Sequence, residues 1–164
     1  MNDKPSNPVT WNLRHPAQLI GTGFGVGLLP KAPGTWGSLA ALPFAWLIVD
    51  AGGGAALAVA ALAAFAAGMW ASEVCLKISG DDDPKPVVID EICGQWLVLV
   101  AVPNDVFHYA LGFALFRFFD ILKPWPVSWA DREIKGGLGV MLDDVLAAVY
   151  AGALLFGISY GLGI

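Results

Sequence analysis

Apolar positions along this chain come in long runs, not in the alternation of a strand or the one-sided stripe of a soluble helix. From Gly37 to Ala71 the one charged residue is Asp50, and Gly52, Gly53 and Gly54 stand together mid-run, where a helix is hard to sustain. This stretch reads as two helices joined by a tight turn. A third apolar segment runs from about Val87 to Val102 and stops at Pro103-Asn104-Asp105. A fourth, Val106 to Leu122, ends before Lys123-Pro124-Trp125-Pro126, and a fifth begins near Val140 and continues to the carboxyl terminus. The glycine-rich stretch Leu19 to Leu29 reads as a further short helix that either lies in a membrane interface or re-enters it. The fold expected is all-α: one domain over 1–164, a polytopic membrane bundle of about five apolar helices behind a polar segment, 1–16.

Composition agrees with a membrane. Of 164 residues 57% are hydrophobic and only 14% charged, and the mean hydropathy is +0.65, well above a soluble domain. Several of the apolar segments fall short of the roughly 20 residues that cross a bilayer comfortably, so they must stand upright, thin the membrane or extend into flanking residues. Met1 to Pro16 lacks the basic start, apolar run and small-residue cleavage site of a secretory signal, so the mature chain is expected to keep it. The net charge of -5, with basic residues scattered among acids, excludes nucleic acid as a partner. Cys75 and Cys93 lack the number and spacing of a disulfide framework or zinc site and read as packing residues.

Charge placement orients the bundle. Lys4, Arg14, Lys31, Lys77, Lys85, Arg117, Lys123, Arg132 and Lys135 all fall before the first helix, between helices two and three, or around the link from four to five. The opposite turns, Asp50 to Gly54 and Pro103 to Asp105, hold no basic residue. By the positive-inside rule the amino terminus is cytoplasmic, and five crossings put the carboxyl terminus outside.

The same topology gathers acids onto that cytoplasmic side. Asp90 and Glu91 open the third helix, Asp120 stands near the end of the fourth, and Asp143 and Asp144 fall in the expected first turn of the fifth. Five carboxylates converging at the edge of hydrocarbon repel one another and need a cation; a hard metal with oxygen ligands, Mg²⁺ by default, fits. Capping and the helix dipole are the competing explanation for Asp90, Glu91, Asp143 and Asp144. Asp120 lies at the end of a helix where the dipole disfavours an anion, and for it the competing explanation is a salt bridge to Arg117 or Lys123.

Pro30 to Ser38 joins Lys31, Thr35, Ser38 and two glycines to the start of the first long helix. Such a segment either cradles phosphate through free N–H groups, hydroxyls and the ammonium, or is a plain helix entry capped by Thr35 or Ser38. Trp36, Trp125 and Trp129 read as interfacial anchors. Rival phosphatase chemistries lack their residues. There is no Cys-x5-Arg loop, and His15 and His108 stand alone, with His108 near the outer turn. Asp81-Asp82-Asp83 follows no apolar strand and reads as a solvated loop. The alternating glycines of 21–27 do not match a dinucleotide fingerprint.

Four blocks, taken together and in order, resemble the phosphatidylglycerophosphatase A family. They are Pro-Lys-Ala-Pro-Gly-Thr-Trp-Gly-Ser-Leu at 30–39, Asp-Glu-Ile-Cys-Gly at 90–94, Phe-Arg-Phe-Phe-Asp-Ile-Leu-Lys-Pro-Trp-Pro at 116–126 and Gly-Leu-Gly-Val-Met-Leu-Asp-Asp at 137–144. The resemblance implies an all-helical membrane enzyme that hydrolyses phosphatidylglycerophosphate to phosphatidylglycerol and phosphate, with Mg²⁺, on the cytoplasmic face of a bacterial inner membrane. Its functional positions fall on Lys31, Thr35, Ser38, Asp90, Glu91, Arg117, Asp120, Lys123, Asp143 and Asp144. Which acid does what is our assignment: metal ligands from Asp90, Glu91, Asp120, Asp143 and Asp144, catalysis by Asp90, Glu91, Asp120 and Asp144, and phosphate contacts from Lys31, Thr35, Ser38, Arg117 and Lys123. The expected partners are the lipid phosphate and membrane lipids. Another metal-dependent lipid or prenyl phosphate phosphatase or phosphotransferase would use the same cluster. A small ion-coupled transporter would want its acids near mid-bilayer, and a purely structural subunit would not need them to converge.

Overall fold

The computed structural model describes residues 10–163. Lys4, most of the polar segment 1–16 and the terminal Ile164 lie outside the described residues. In chain order the elements are α1 (Pro16–Gly21), a 3-10 turn (Val26–Leu28), α2 (Pro33–Ser79), α3 (Ile89–Leu99), α4 (Val106–Leu122), α5 (Val127–Glu133) and α6 (Gly136–Leu162), with no strand among the described residues.

The three-glycine break expected inside the longest apolar run is present. Gly53 adopts φ 69° and ψ -174°, which splits α2 into two arms, 33–52 and 54–79. The contacts of α3 show that the arms run back alongside each other. At one end of α3 a Cβ on Gly37 would press on Val88 and one on Gly68 would meet the Ile89 and Met141 side chains, whereas at the other end Gly54 abuts the Val100 carbonyl. Trp96 Nε1 donates to Ala41 O of the first arm at 2.9 Å, and Cys93 Sγ lies 3.4 Å from Ala61 O of the second. Both cysteines are free and buried, in packing roles as expected.

α4 occupies Val106–Leu122, as its apolar run indicates, and stops because Lys123 turns left-handed (φ 46°) ahead of Pro124. Phe116 packs there with Val98, Ala147, Ala151 and Leu155, so that small residues on α6 admit the large ring. α3 is shorter than the expected 87–102 segment. Its 11 residues rise only about 16 Å, little more than half a bilayer core. The 19–29 stretch resolves into the end of α1 and the 3-10 turn, and α5 was not foreseen.

The largest departure is α6, which begins at Gly136 rather than near Val140. Gly136, Gly137 and Gly139 discourage a helix by propensity, but tertiary contacts override it. Gly137 N donates to Glu73 Oε2 at 2.8 Å, and Gly137 lies so close to the Met69 carbonyl that no side chain fits. Asp143 and Asp144 therefore fall in the second and third turns, not the first, and capping does not explain them.

Among the described residues two helices, α2 and α6, are long and apolar enough to cross a membrane. Their outward faces carry Leu47 (64% exposed), Leu62 (66%) and Phe156 (57%), consistent with an apolar surrounding. At the end of the bundle away from the acids, His108 Nδ1 lies 2.6 Å from Asp105 Oδ2 and His108 Nε2 lies 2.9 Å from Ser159 Oγ, joining the start of α4 to the end of α6.

Candidate active site

The three helix ends that carry acids meet around one cavity of about 660 Å³, lined by Asp90, Glu91, Asp120, Lys123, Asp143 and Asp144 among others. Asp90 and Glu91 are in the first turn of α3, where the free N–H groups favour anions. Asp144 comes from α6, and one carboxylate oxygen each from Asp90, Glu91 and Asp144 lie within 4.8 Å of one another.

Two cations are tied into this cluster by different routes. Arg117 Nη1 is 2.7 Å from Asp120 Oδ2, 3.8 Å from Glu91 Oε1 and 3.3 Å from Ser38 Oγ, so one guanidinium links α2, α3 and α4. The Arg117 pairing expected for Asp120 is therefore present. The Lys123 pairing is not, because the left-handed turn at Lys123 removes it from the helix face. Lys123 Nζ instead reaches Asp143 Oδ2 at 2.8 Å and also binds Asp131. Burial alone would lower the pKa of Lys123, but these two carboxylates raise it above the ordinary lysine range and keep it charged.

Five acids face two cations, and the pairing is incomplete. Asp90 Oδ1, Glu91 Oε2, Asp143 Oδ1 and Asp144 Oδ2 are buried and have no hydrogen-bond partner. A buried carboxylate oxygen without a donor is costly, and several aimed at one space more so. Three carboxylates at this spacing, each with an orphaned oxygen and few enough to leave positions for substrate, fit a hard divalent cation.

Each expected phosphate contact has its own place. Ser38 is buried in α2 and accepts from Arg117 while donating to Gly34 O at 3.0 Å. Thr35 is half-buried in the first turn of α2. Neither caps the helix, whose N-cap is Ala32 without a side-chain bond, so the plain capping explanation for Thr35 and Ser38 fails. Lys31 is exposed and lines a second cavity with Lys85, not the acidic one.

Five contributors were not read from the sequence. Asp131 from α5 shares Lys123, and Glu73 from α2 caps α6 and lines the cavity. Asp82 and Asp83 are exposed, as expected of a solvated loop, yet they line the cavity too. Gly34 is the fifth: a Cβ there would overlap Glu91 Oε1 and crowd Arg117 Nη1. Its signal was present in the Pro-Gly-Thr run, but its neighbour was not. His108, read as standing alone, is paired with Asp105. That pair sits at the opposite end of α4 from Asp120, so it takes no part in the acidic cavity.

Comparison with known proteins gives a consistent picture. The family model described as phosphatidylglycerophosphatase A matches residues 19–159. A protein of Escherichia coli strain K12 named phosphatidylglycerophosphatase A is 38% identical over 149 residues, covering 90% of this chain and 86% of that relative. One of the same name from Haemophilus influenzae is 39% identical, covering 91% and 92%. A Bacteroides thetaiotaomicron protein, named provisionally as a phosphatidylinositol-3-phosphatase, is 47% identical, covering 84% and 89%. No solved structure matches.

Proposed function

This chain belongs to the phosphatidylglycerophosphatase A family and is a phosphatase, and from that premise we propose that it removes the terminal phosphate of phosphatidylglycerophosphate with Mg²⁺ at the cytoplasmic surface of a bacterial inner membrane. The observation that carries this reading is the set of orphaned carboxylate oxygens from Asp90, Glu91 and Asp144 beside two tethered cations. For the membrane we propose five crossings: the two arms of α2, α3 prolonged by the residues after it, α4 and α6. The distribution of Lys and Arg supports a cytoplasmic acidic end.

Asp90, Glu91 and Asp144 would hold the cation, with Asp143 beside them. When bound, it supplies charge neutralisation at the phosphate and a more acidic water. Arg117 and Lys123 are positioned to exchange part of their carboxylate pairing for phosphate oxygens. Ser38 steadies the Arg117 guanidinium. Asp120, held by Arg117 at 2.7 Å, is the carboxylate we assign to take the proton of the attacking water. Phosphorus is then attacked in line with the glycerol oxygen, the bond between them breaks, the leaving oxygen takes a proton from water to depart as the alcohol, and no covalent enzyme intermediate is needed.

The 47% identical relative favours a second reading, in which the headgroup is a 3-phosphoinositide. Phosphate release by the purified protein from phosphatidylglycerophosphate and from phosphatidylinositol 3-phosphate, with and without Mg²⁺, separates the two. Mg²⁺-dependent release from the first substrate, lost in Asp120→Asn, is the expected result. Preference for the phosphoinositide would replace the substrate while keeping the site. No release from either by folded protein would sink the reading and return the ion-coupled transporter.

A further inference from the structure

The acidic cavity has a basic neighbour. Lys31 and Lys85 line a second cavity of about 540 Å³, together with Leu28 and Leu29, and no acid stands among its lining residues. Neither lysine forms an ion pair among the described residues, whereas Arg117, Lys123 and Lys77 all do. The walls are fixed against each other: Gly27 packs so tightly on the Pro86 carbonyl that no Cβ fits between them, and Val88 N donates to Gly21 O at 2.8 Å.

Both lysine-bearing segments run straight into the active site. Pro33 lines the basic cavity, and the next residue, Gly34, presses on Glu91 Oε1. Lys85 is followed five positions later by Asp90, a reach of at most about 18 Å of chain. The first turn of α2 thus stands between the two cavities, with Pro33 on the basic one and Gly34 against Glu91, which lines the acidic one. Leu28 and Leu29, 41% and 44% exposed, give the basic side an apolar rim of the kind that accompanies a lipid glycerol backbone.

We propose that this basic cavity binds the internal phosphodiester of the lipid substrate, with Lys31 and Lys85 as its cationic contacts, while the terminal phosphomonoester occupies the acidic cavity. The inference rests on the lipid phosphomonoester reading above and adds a headgroup requirement to it. A lipid with a monoester but no diester, such as phosphatidate, loses both lysine contacts. Separating the two phosphates also explains why lysines stand outside the cation cluster: the diester is neither cleaved nor in need of a metal. Two ammonium groups without competing carboxylates can form charge-assisted hydrogen bonds to it.

The test is calorimetric binding of short-chain phosphatidylglycerol, which carries the diester and no monoester, to the full detergent-solubilised chain. Wild type should bind, and the double variant Lys31→Gln, Lys85→Gln should bind about tenfold or more weakly. The double arginine variant should bind nearly as wild type, and Asp144→Asn should leave affinity unchanged. In hydrolysis of phosphatidylglycerophosphate the glutamine pair should raise KM about tenfold with kcat held. Unaltered binding in the glutamine variant overturns the proposal, as does an equal loss in Asp144→Asn, which would place the diester among the acids. Lysine-dependent binding by a wild type that releases no phosphate would overturn the hydrolytic reading and leave this site standing.

Discussion

The two ends of the bundle treat charge in opposite ways. Where α4 begins and α6 finishes, Asp105, His108 and Ser159 close on one another, and Ser159 Oγ donates onward to Leu155 O at 3.0 Å. Where α4 finishes and α6 begins, five carboxylates outnumber two cations and four of the acids keep a buried oxygen without a donor. The same pair of helices builds both ends, so the difference is not one of scaffold. A satisfied polar network holds helices together. An unsatisfied one stores repulsion that a ligand can relieve, which is the usual mark of a working site.

The contrast breaks most visibly at Asp144. Asp144→Asn is expected to lower kcat on the order of a thousandfold, yet in metal-free protein its melting temperature should equal or exceed that of wild type, because one repelling charge is gone. Measuring both on one preparation checks this; a large fall in melting temperature would mean that the acids hold the fold. Mg²⁺ at about a hundredfold over its Kd should stabilise wild type by roughly 2.7 kcal/mol by mass action. A thermal-shift titration should lose most of that gain in Asp144→Asn.

Gly34→Ala should come next. The added Cβ has no room beside Glu91 Oε1, so the carboxylate must move. A shift of about an ångström at a positioned group costs up to roughly a hundredfold in rate. Steady-state kinetics should show kcat falling more than KM rises, and Gly34→Ser should be no better.

Much of this was legible in the sequence, for reasons that differ by element. α4 was read to the residue because Asp105 and Pro124 punctuate an apolar run. The break in α2 was legible because three consecutive glycines have no other use in such a run. The start of α6 was not, because its cap, Glu73, lies 64 positions upstream, and local propensity argues against a helix there. Convergence of the five acids followed from counting helix ends, but the choice of partners did not. Lys123 passes from Asp120 to Asp143 and Asp131 on the strength of one left-handed residue. Lys31 fell in the same motif as Ser38, yet the turn at Lys31 and Ala32 sends it to a different cavity.

At the satisfied end, substitution should cost stability and spare chemistry. His108→Ala removes the link between Asp105 and Ser159 and leaves buried Ser159 with one bond fewer, at about 1–3 kcal/mol. A melting temperature lower by several degrees with kcat within about twofold of wild type is the expected pair of results. A loss of activity as deep as that of Asp144→Asn would end the division between the two ends.

The smallest effect belongs to Asp105 and has a direction in pH. This carboxylate caps α4 by accepting from His108 N at 3.0 Å, and that bond is the main cause holding its pKa below the ordinary aspartate value. A depressed folded pKa means the ionised form is the stabilised one. Its contribution is fully present above the unfolded value of about 3.9 and fades as pH falls through the lower folded value. Asparagine caps a helix nearly as well as aspartate, so Asp105→Asn removes the charge and little else. Its melting temperature should lie slightly below wild type at neutral pH, and the gap should narrow as pH falls below the unfolded value. A gap that persisted in acid would show that the geometry of the cap, not its charge, ties the start of α4 to its neighbours.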